Sequence, residues 1–401
     1  MSATDIIGVP LPNAAQLRGE LPKETDVLVI GGGIAGAAMA YYLAVQGVDV
    51  VLVERGELNR EASGTNAGSF HLQLAIHQLS GHGTGADRER LLTEARQSLE
   101  AYELWKDLGR ELEGDLHVHQ TGGWMVAETD EQLRTLHEKR ELEQLAGIET
   151  DVYTGRELRD RAPYLSEKLT GASWCPVEGH ANPLIVTPLY AVRAIERGAV
   201  IRTHAEVHGI TVDGPRRFTV DTSIGTIKAA RIVNCAGAWS AEICAMVGLR
   251  PPIRSEGLHV NVSEPRAHVL TPMVQHIGRR LTLKQNEKGT FIIGGGWPTP
   301  EAPPPRRYPT SWHSAAGNTA VAVTVVPLLE HVKIVRTWSG VIVFTDDLSP
   351  VAGESVKVPG FHACILSTGF TFSPMFARIL AEHMVTGGPS PFPERYSLDR
   401  S

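Results

Sequence analysis

The chain has 401 residues, too many for one simple core, so two domains are expected. With 42% hydrophobic and 21% charged residues it is composed like a soluble globular protein. Its net charge of −7 excludes the concentrated basic face of a nucleic-acid binder. No apolar run nears the roughly 18 residues that span a bilayer. The N-terminus has neither a basic start nor an apolar core, so no signal peptide is expected and the location reads as cytoplasmic. The four cysteines, Cys175, Cys235, Cys244 and Cys364, lie far apart with no CxxC. They read as buried reduced thiols rather than as disulfides, zinc ligands or iron–sulfur ligands.

Residues 1–24, with Pro10, Pro12 and Pro22, read as an irregular extension over the surface. The organising stretch follows. Val27 to Ile30 is a β-branched run of the kind that makes a buried parallel strand, and Gly31-x-Gly33-x-x-Gly36 follows it directly. Ile34 to Val45 reads as a helix of small residues, and Val48 to Val53 is a second strand ending in Glu54. Gly31 suits the tight turn, Gly33 lets a pyrophosphate approach the backbone, and Gly36 lets helix and strand pack closely. The helix N-terminus offers N–H groups and a positive dipole end to phosphates, and Glu54 can accept from ribose hydroxyls. A plain glycine-rich turn would not need the acid about 20 residues on, so a dinucleotide site is expected.

Glu61 to Leu74 is crowded with small residues, which let backbone lie against a flat or phosphorylated ligand. Leu91, Leu92, Ala95, Leu99, Tyr102 and Leu108 recur at helical spacing from Asp87 to about Leu112. Gly122 to Val126 reads as a strand, Asp130 to Leu145 as a charged helix, 155–162 as a short helix stopped by Pro163, and Leu184 to Arg197 as a helix. Strands are expected over 200–207, 217–220, 226–229 and 230–234, the last running into Cys235-Ala236-Gly237-Ala238-Trp239. Beyond Pro251-Pro252, alternating runs at 258–262, 281–284 and 290–293 predict an antiparallel sheet. The proline-rich 298–309 cannot be a central strand or helix. A helix over 314–329, strands within 331–343, a last strand at 359–366 and a helix from Met375 to Val385 complete the pattern.

GGGIAG with Glu54-Arg55, then ASGTNAG, then NCAGAWS, then Gly369-Phe370 before the final helix, resembles the D-amino-acid oxidase and glycine/sarcosine oxidase family. Asn66 to Leu74, Glu178 to Leu184, Leu281 to Gln285 and Ile293 to Trp297 are similar to the β subunits of bacterial opine oxidases and D-hydroxyproline dehydrogenases. The resemblance covers nearly the whole chain after about residue 24. It implies an α/β fold in which a Rossmann-like FAD domain (25–84, 155–250, 336–401) is interrupted by an antiparallel-sheet α+β substrate domain (85–154, 251–335). It also implies that Gly31, Gly33, Ile34, Ala35, Gly36, Glu54 and Arg55 hold the ADP half. Ser63, Thr65, Asn66, Ala67 and Gly68 would line the pyrophosphate and ring. Val207 would lie on the adenine side, and Ala236, Gly237 and Trp239 near the ribityl chain. Gly340 and Asp347 belong to the segment beyond, and Gly369, Phe370 and Thr371 would offer N–H groups to the reduced ring.

Two departures stand out. Ile342 stands where the family carries a carboxylate-clamping arginine, although Asp347 and Pro350 still match. No cysteine follows that segment closely, so non-covalent FAD is expected. The candidate catalytic and substrate residues are His71, His259, Lys284, Gln285 and Phe372, with Lys284 and Gln285 on a strand able to hold a carboxylate or amide. Lys284 reads equally as a solvated strand residue, His71 as a structural hydrogen-bonding residue, and Trp297 as packing or pocket wall. The resemblance implies oxidation of a secondary-amine amino acid such as an opine to an imine. Electrons would pass to a cysteine-rich partner subunit, with room for FMN at the interface. Two other readings stand beside it. One is a glycine/sarcosine-type or D-hydroxyproline oxidase or dehydrogenase. The other is a non-catalytic flavin-binding relay subunit, against which the intact inserted domain weighs.

Overall fold

In a computed structural model, which describes residues 12–74, 85–300 and 308–400, the strand Glu24–Ile30 lies inside a mostly parallel sheet. The start of the N-terminal extension, residues 75–84 and the centre of the proline-rich segment fall outside the described residues. Glu24–Ile30 pairs in parallel with Val50–Val53 on one side and Gly225–Asn234 on the other. Phe361–Ile365 and Val200–Arg202 extend the sheet in parallel, and Val351–Glu354 adds an antiparallel edge. Gly225–Asn234 also starts an antiparallel meander through Arg217–Thr222 and Val207–Gly214. Residues 27–30 and Val50–Val53 are buried on both faces, one against helices and the other against the meander and Ser240–Met246, which is why they read as unbroken apolar runs.

The helix Ile34–Val45 lies against the final helix, Gly369–Thr386, and against Pro183–Glu196. Its Ala37, Ala38 and Ala40 are fully buried, so small side chains are what permit this approach. The final helix begins at Gly369, earlier than its periodicity suggested, and contains Pro374. That proline cannot donate to the Phe370 carbonyl, a loss confined to the helix start.

The second sheet runs Pro298–Thr299, Ile253–Pro265, Thr290–Gly294, Thr282–Gln285, Met273–His276, Gly123–Ala127, Gly171–Cys175 and Asp151–Thr154, with Ile334–Thr345 paired along Ile253–Pro265. It is antiparallel except where Met273–His276 runs parallel to Gly123–Ala127. Three features depart from the expected domain limits. Gly171–Cys175, expected in the cofactor domain, pairs in this second sheet. Ile334–Thr345 crosses the expected limit at 335/336 as one strand. The helix Gly85–Glu111, expected in the substrate domain, sends Leu104, Trp105 and Leu108 into the core of the first sheet's helices. Short strands carry no mark of which sheet they join, because distant pairing partners set it. Among the described residues no helix is long and apolar enough to cross a membrane.

Candidate active site

Between the two sheets lies a cavity of about 1000 Å³, at the upper end of small-molecule pockets. Its first wall is the glycine turn. Gly31 has φ +112°, and a Cβ there would lie 2.5 Å from the Cys235 carbonyl oxygen. A Cβ on Gly36 would lie 1.9 Å from the Gly31 carbonyl oxygen, so Gly36 sits outside the cavity and serves close packing. Ile34 donates its N–H to Ser63 Oγ at 2.9 Å, and no side chain caps the helix at Gly33. Glu54 accepts from the N–H groups of Gly32 (2.6 Å) and Gly56 (2.7 Å), which aims the carboxylate while leaving lone pairs for a ligand. Arg55 stacks on Trp239 at 3.5 Å and pairs with Glu61. These contacts bracket an elongated site whose donors suit a dinucleotide.

Gly31, Gly33, Ile34, Ala35, Glu54, Arg55, Ser63, Thr65, Asn66, Ala67, Val207, Ala236, Gly237, Trp239, Gly340, Gly369, Phe370 and Thr371 all line this cavity. Two others do not. Gly68, at φ +76°, donates to Asn66 Oδ1 and closes the turn behind the wall. Asp347 accepts from the Ser349 N–H and from Arg400, away from the cavity. The final helix starts at the cavity with no side-chain cap, so its first N–H groups and dipole favour an anionic ligand there. Trp105 Nε1 donates to the Thr371 carbonyl at 2.8 Å and fixes that turn.

The expected substrate residues divide. His71, His259 and Phe372 line the cavity. Neither ring nitrogen of His259 has a partner among the described residues, and burial lowers its pKa, so it presents a neutral imidazole. Lys284 and Gln285 do not line the cavity. Gln285 is consumed by structure: its oxygen accepts from Val269 and Leu270, and its nitrogen donates to the Ala267 and Gly289 carbonyls. Lys284 is buried behind Gly68, and desolvation lowers its pKa to about 7. Every residue of their strand is buried, so no alternation distinguishes its two faces. Trp297 packs on the helix Trp312–Val325 and is not a cavity wall.

A buried polar chain supports His71, and the sequence reading missed it. Glu178 is fully buried and takes N–H groups from Leu72 (3.3 Å), Gln73 backbone (3.0 Å), Gln73 Nε2 (2.8 Å) and Gln275 Nε2 (2.9 Å). Burial pushes its pKa up. The donors nevertheless leave no acceptor for a carboxyl proton, so the group is a carboxylate. Gln73 Oε1 in turn accepts from Lys139 Nζ at 2.8 Å, and that ammonium is paired with Glu143 at 2.7 Å. With its nitrogen held by Glu178, Gln275 turns its oxygen to His71 Nδ1 at 3.0 Å. Nδ1 therefore carries a proton, and in the neutral tautomer of that ring Nε2 is the acceptor nitrogen. The alternation in Phe70-His71-Leu72-Gln73-Leu74 was the available signal, since it puts His71 and Gln73 on one face.

Ile342 lines the cavity beside Val341 and Val343, an apolar wall where the family pattern expects an arginine. Of the nearby lining arginines, Arg279 is paired with Glu128 and Arg254 with Glu256. The Arg280 guanidinium bonds only the Gly296 carbonyl among the described residues and has no carboxylate partner there.

The β subunit of sarcosine oxidase from Rhodobacter capsulatus is 27% identical over 391 residues, covering 95% of this chain and 89% of that protein. A subunit of the opine oxidase from Rhizobium meliloti is 25% identical over 381 residues, covering 91% and 94%. Among solved structures, glycine oxidase from Geobacillus kaustophilus shares the fold with a TM-score of 0.83 at 24% identity, over 95% of this chain and all of that one. L-proline dehydrogenase from P. horikoshii gives 0.82 at 25% identity, over 95% and 98%. The family model of FAD-dependent oxidoreductases termed DAO matches residues 26–383. A dinucleotide cradle at one end, a helix N-terminus at the other and that match lead to one assignment: the chain belongs to the DAO family of FAD-dependent oxidoreductases.

Proposed function

We propose that this chain is the FAD-carrying catalytic subunit of an opine-type amine dehydrogenase. It oxidises the C–N bond of a secondary-amine amino acid such as octopine or nopaline to an imine, which water hydrolyses to an amino acid and a 2-oxo acid. Non-covalent FAD, when bound, accepts a hydride equivalent from the carbon beside the amine nitrogen. The residues of the turn at 31–36, Glu54, the loop 63–68 and the start of the final helix would hold it.

The observation that carries the reading is the wall at Ile342. The arginine usual for simple amino acids is missing there, while Arg280 offers a guanidinium from a different loop. A substrate whose carboxylate lies elsewhere, as in an N-(carboxyalkyl)amino acid, suits that arrangement. Arg280 would bind the carboxylate, the apolar wall would exclude water, and His71 Nε2 would take a proton from the substrate ammonium so that its nitrogen lone pair is available. His259 would hydrogen-bond the substrate with a nitrogen that no described residue satisfies. Phe372 would pack against its apolar part.

The similarity to the opine oxidase subunit of Rhizobium meliloti supports this reading, and that relative is by name one part of a larger enzyme. In the same reading electrons pass on to a cysteine-rich partner subunit, with FMN at the interface, because the four cysteines here are free and buried. The second reading is a sarcosine- or glycine-type oxidase or D-hydroxyproline dehydrogenase, favoured by the similarity to the β subunit of sarcosine oxidase.

Anaerobic titration of the FAD-loaded chain with octopine, nopaline, sarcosine, glycine and a D-proline derivative separates them. Bleaching of the oxidised-flavin band by an opine alone, with slow recovery in air, is the expected result. Bleaching by sarcosine or glycine with fast recovery in air would establish the second reading.

A further inference from the structure

Outside the cavity lining, where the loop before Gly123–Ala127 meets the turn after Thr282–Gln285, three side chains come together. His117 Nδ1 lies 3.2 and 3.3 Å from the two carboxylate oxygens of Glu287, and His119 Nε2 bonds the first of those oxygens. One donor atom from each residue lies within 4.8 Å of the others. We propose that His117, His119 and Glu287 form a site for one divalent transition-metal ion of the zinc class, completed by solvent.

The donor set is the first argument. Two imidazoles and a carboxylate are ligands that zinc accepts, with bonds of about 2.0–2.2 Å. Tetrahedral bonds of that length hold ligand atoms about 3.3 Å apart, close to the His117–Glu287 separation. Magnesium and calcium favour all-oxygen shells, so imidazole selects against them.

Preorganisation is the second argument. His119 is tied by two backbone bonds to His180, its N–H to that carbonyl at 2.8 Å and the reverse at 2.9 Å. His117 adopts φ +49°, and its N–H donates to Asp115 Oδ1 at 2.8 Å, which fixes the backbone that carries the ring. Glu287 stands in the turn between Thr282–Gln285 and Thr290–Gly294, where Asn286 Oδ1 accepts from Lys288 and Thr290. The carriers of all three ligands are therefore fixed before an ion arrives. The side chains remain roughly one-third to one-half exposed, which allows entry and a solvent ligand.

The ion would join the loop before Gly123–Ala127 to the turn after Thr282–Gln285. This site is independent of the substrate proposal, because its residues touch neither the cavity nor the cofactor cradle.

The test is calorimetric titration of untagged, FAD-loaded, chelator-treated protein with zinc chloride, repeated on Glu287→Gln and His117→Ala. Both replaced residues are partly exposed, and circular dichroism checks each fold. One equivalent bound by the wild type, weakened more than about tenfold in each variant, with zinc raising the unfolding temperature of the wild type alone, is the expected result. No binding, or equal affinity in both variants because other histidines among the chain's 16 hold the ion, would overturn the proposal.

Discussion

Glu178→Gln keeps the shape of the buried side chain while removing its charge and turning one acceptor into a donor. The new NH₂ fits best at the Oε2 position, which meets only the side-chain amides of Gln73 and Gln275. The Oε1 position must remain an acceptor, since two backbone N–H groups converge on it. Either glutamine can relieve the clash by flipping. A flip of Gln73 turns a donor toward Lys139, and a flip of Gln275 turns a donor toward His71 Nδ1. Hydrogen bonds to a charged group contribute about 1.5–3 kcal/mol each. Losing one outright and weakening others predicts destabilisation of roughly 2–4 kcal/mol. At the site, His71 would lose the partner that keeps its proton on Nδ1, and a penalty of about 1.4 kcal/mol slows the proton-accepting step about tenfold.

The assay is anaerobic stopped-flow bleaching of the flavin between about pH 6 and pH 9, on Glu178→Gln, His71→Asn and the double variant, beside denaturant unfolding. The double variant should reduce no more slowly than His71→Asn alone, because both changes act through one imidazole. Unchanged rates and pH profile in Glu178→Gln, or effects that multiply in the double variant, would refute the coupling.

Gly36→Ala places a methyl 1.9 Å from a backbone oxygen, so strand and helix must part by about 1 Å; the purified protein should lose most of its flavin absorbance. Arg280→Met should raise the KM of a carboxylate-bearing amine about ten- to hundredfold, the loss of one charge-assisted bond, with FAD content unchanged. An unchanged KM would remove Arg280 from substrate binding. Lys284 has a folded pKa of about 7 against 10.5 when exposed. Between those values the unfolded chain binds the extra proton, so stability rises with pH from about 7 upward, by about 1.4 kcal/mol per unit. Urea unfolding at about pH 7 and pH 9 should show that slope in the wild type and lose it in Lys284→Met, with KM little changed.

The cofactor half of the site was legible because it is local. Strand, glycine turn, helix and acid follow one another between Val27 and Glu54, and each residue's role depends on neighbours a few positions away. The helix Ile34–Val45 was readable to the residue for the same reason. Of the small-residue segment expected against a ligand, Glu61 to Leu74, Ser63, Thr65, Asn66 and Ala67 line the cavity while Gly68 lies behind its wall.

The other half depends on contacts between distant segments. His71 meets Gln275 across 204 positions, and Gln275 meets Glu178 across 97. Met273–His276 is only four residues long and wholly buried, too short to show a period. On the equally buried Thr282–Gln285, the packing of neighbouring strands decided which side chains faced the cavity, and so placed Lys284 and Gln285 outside it. Local chemistry in the sequence marked the turn that would hold a dinucleotide. Only the tertiary structure decided which side chains reach the reacting end of the cavity, because burial and pairing, unlike a turn, are properties of segments brought together by the fold.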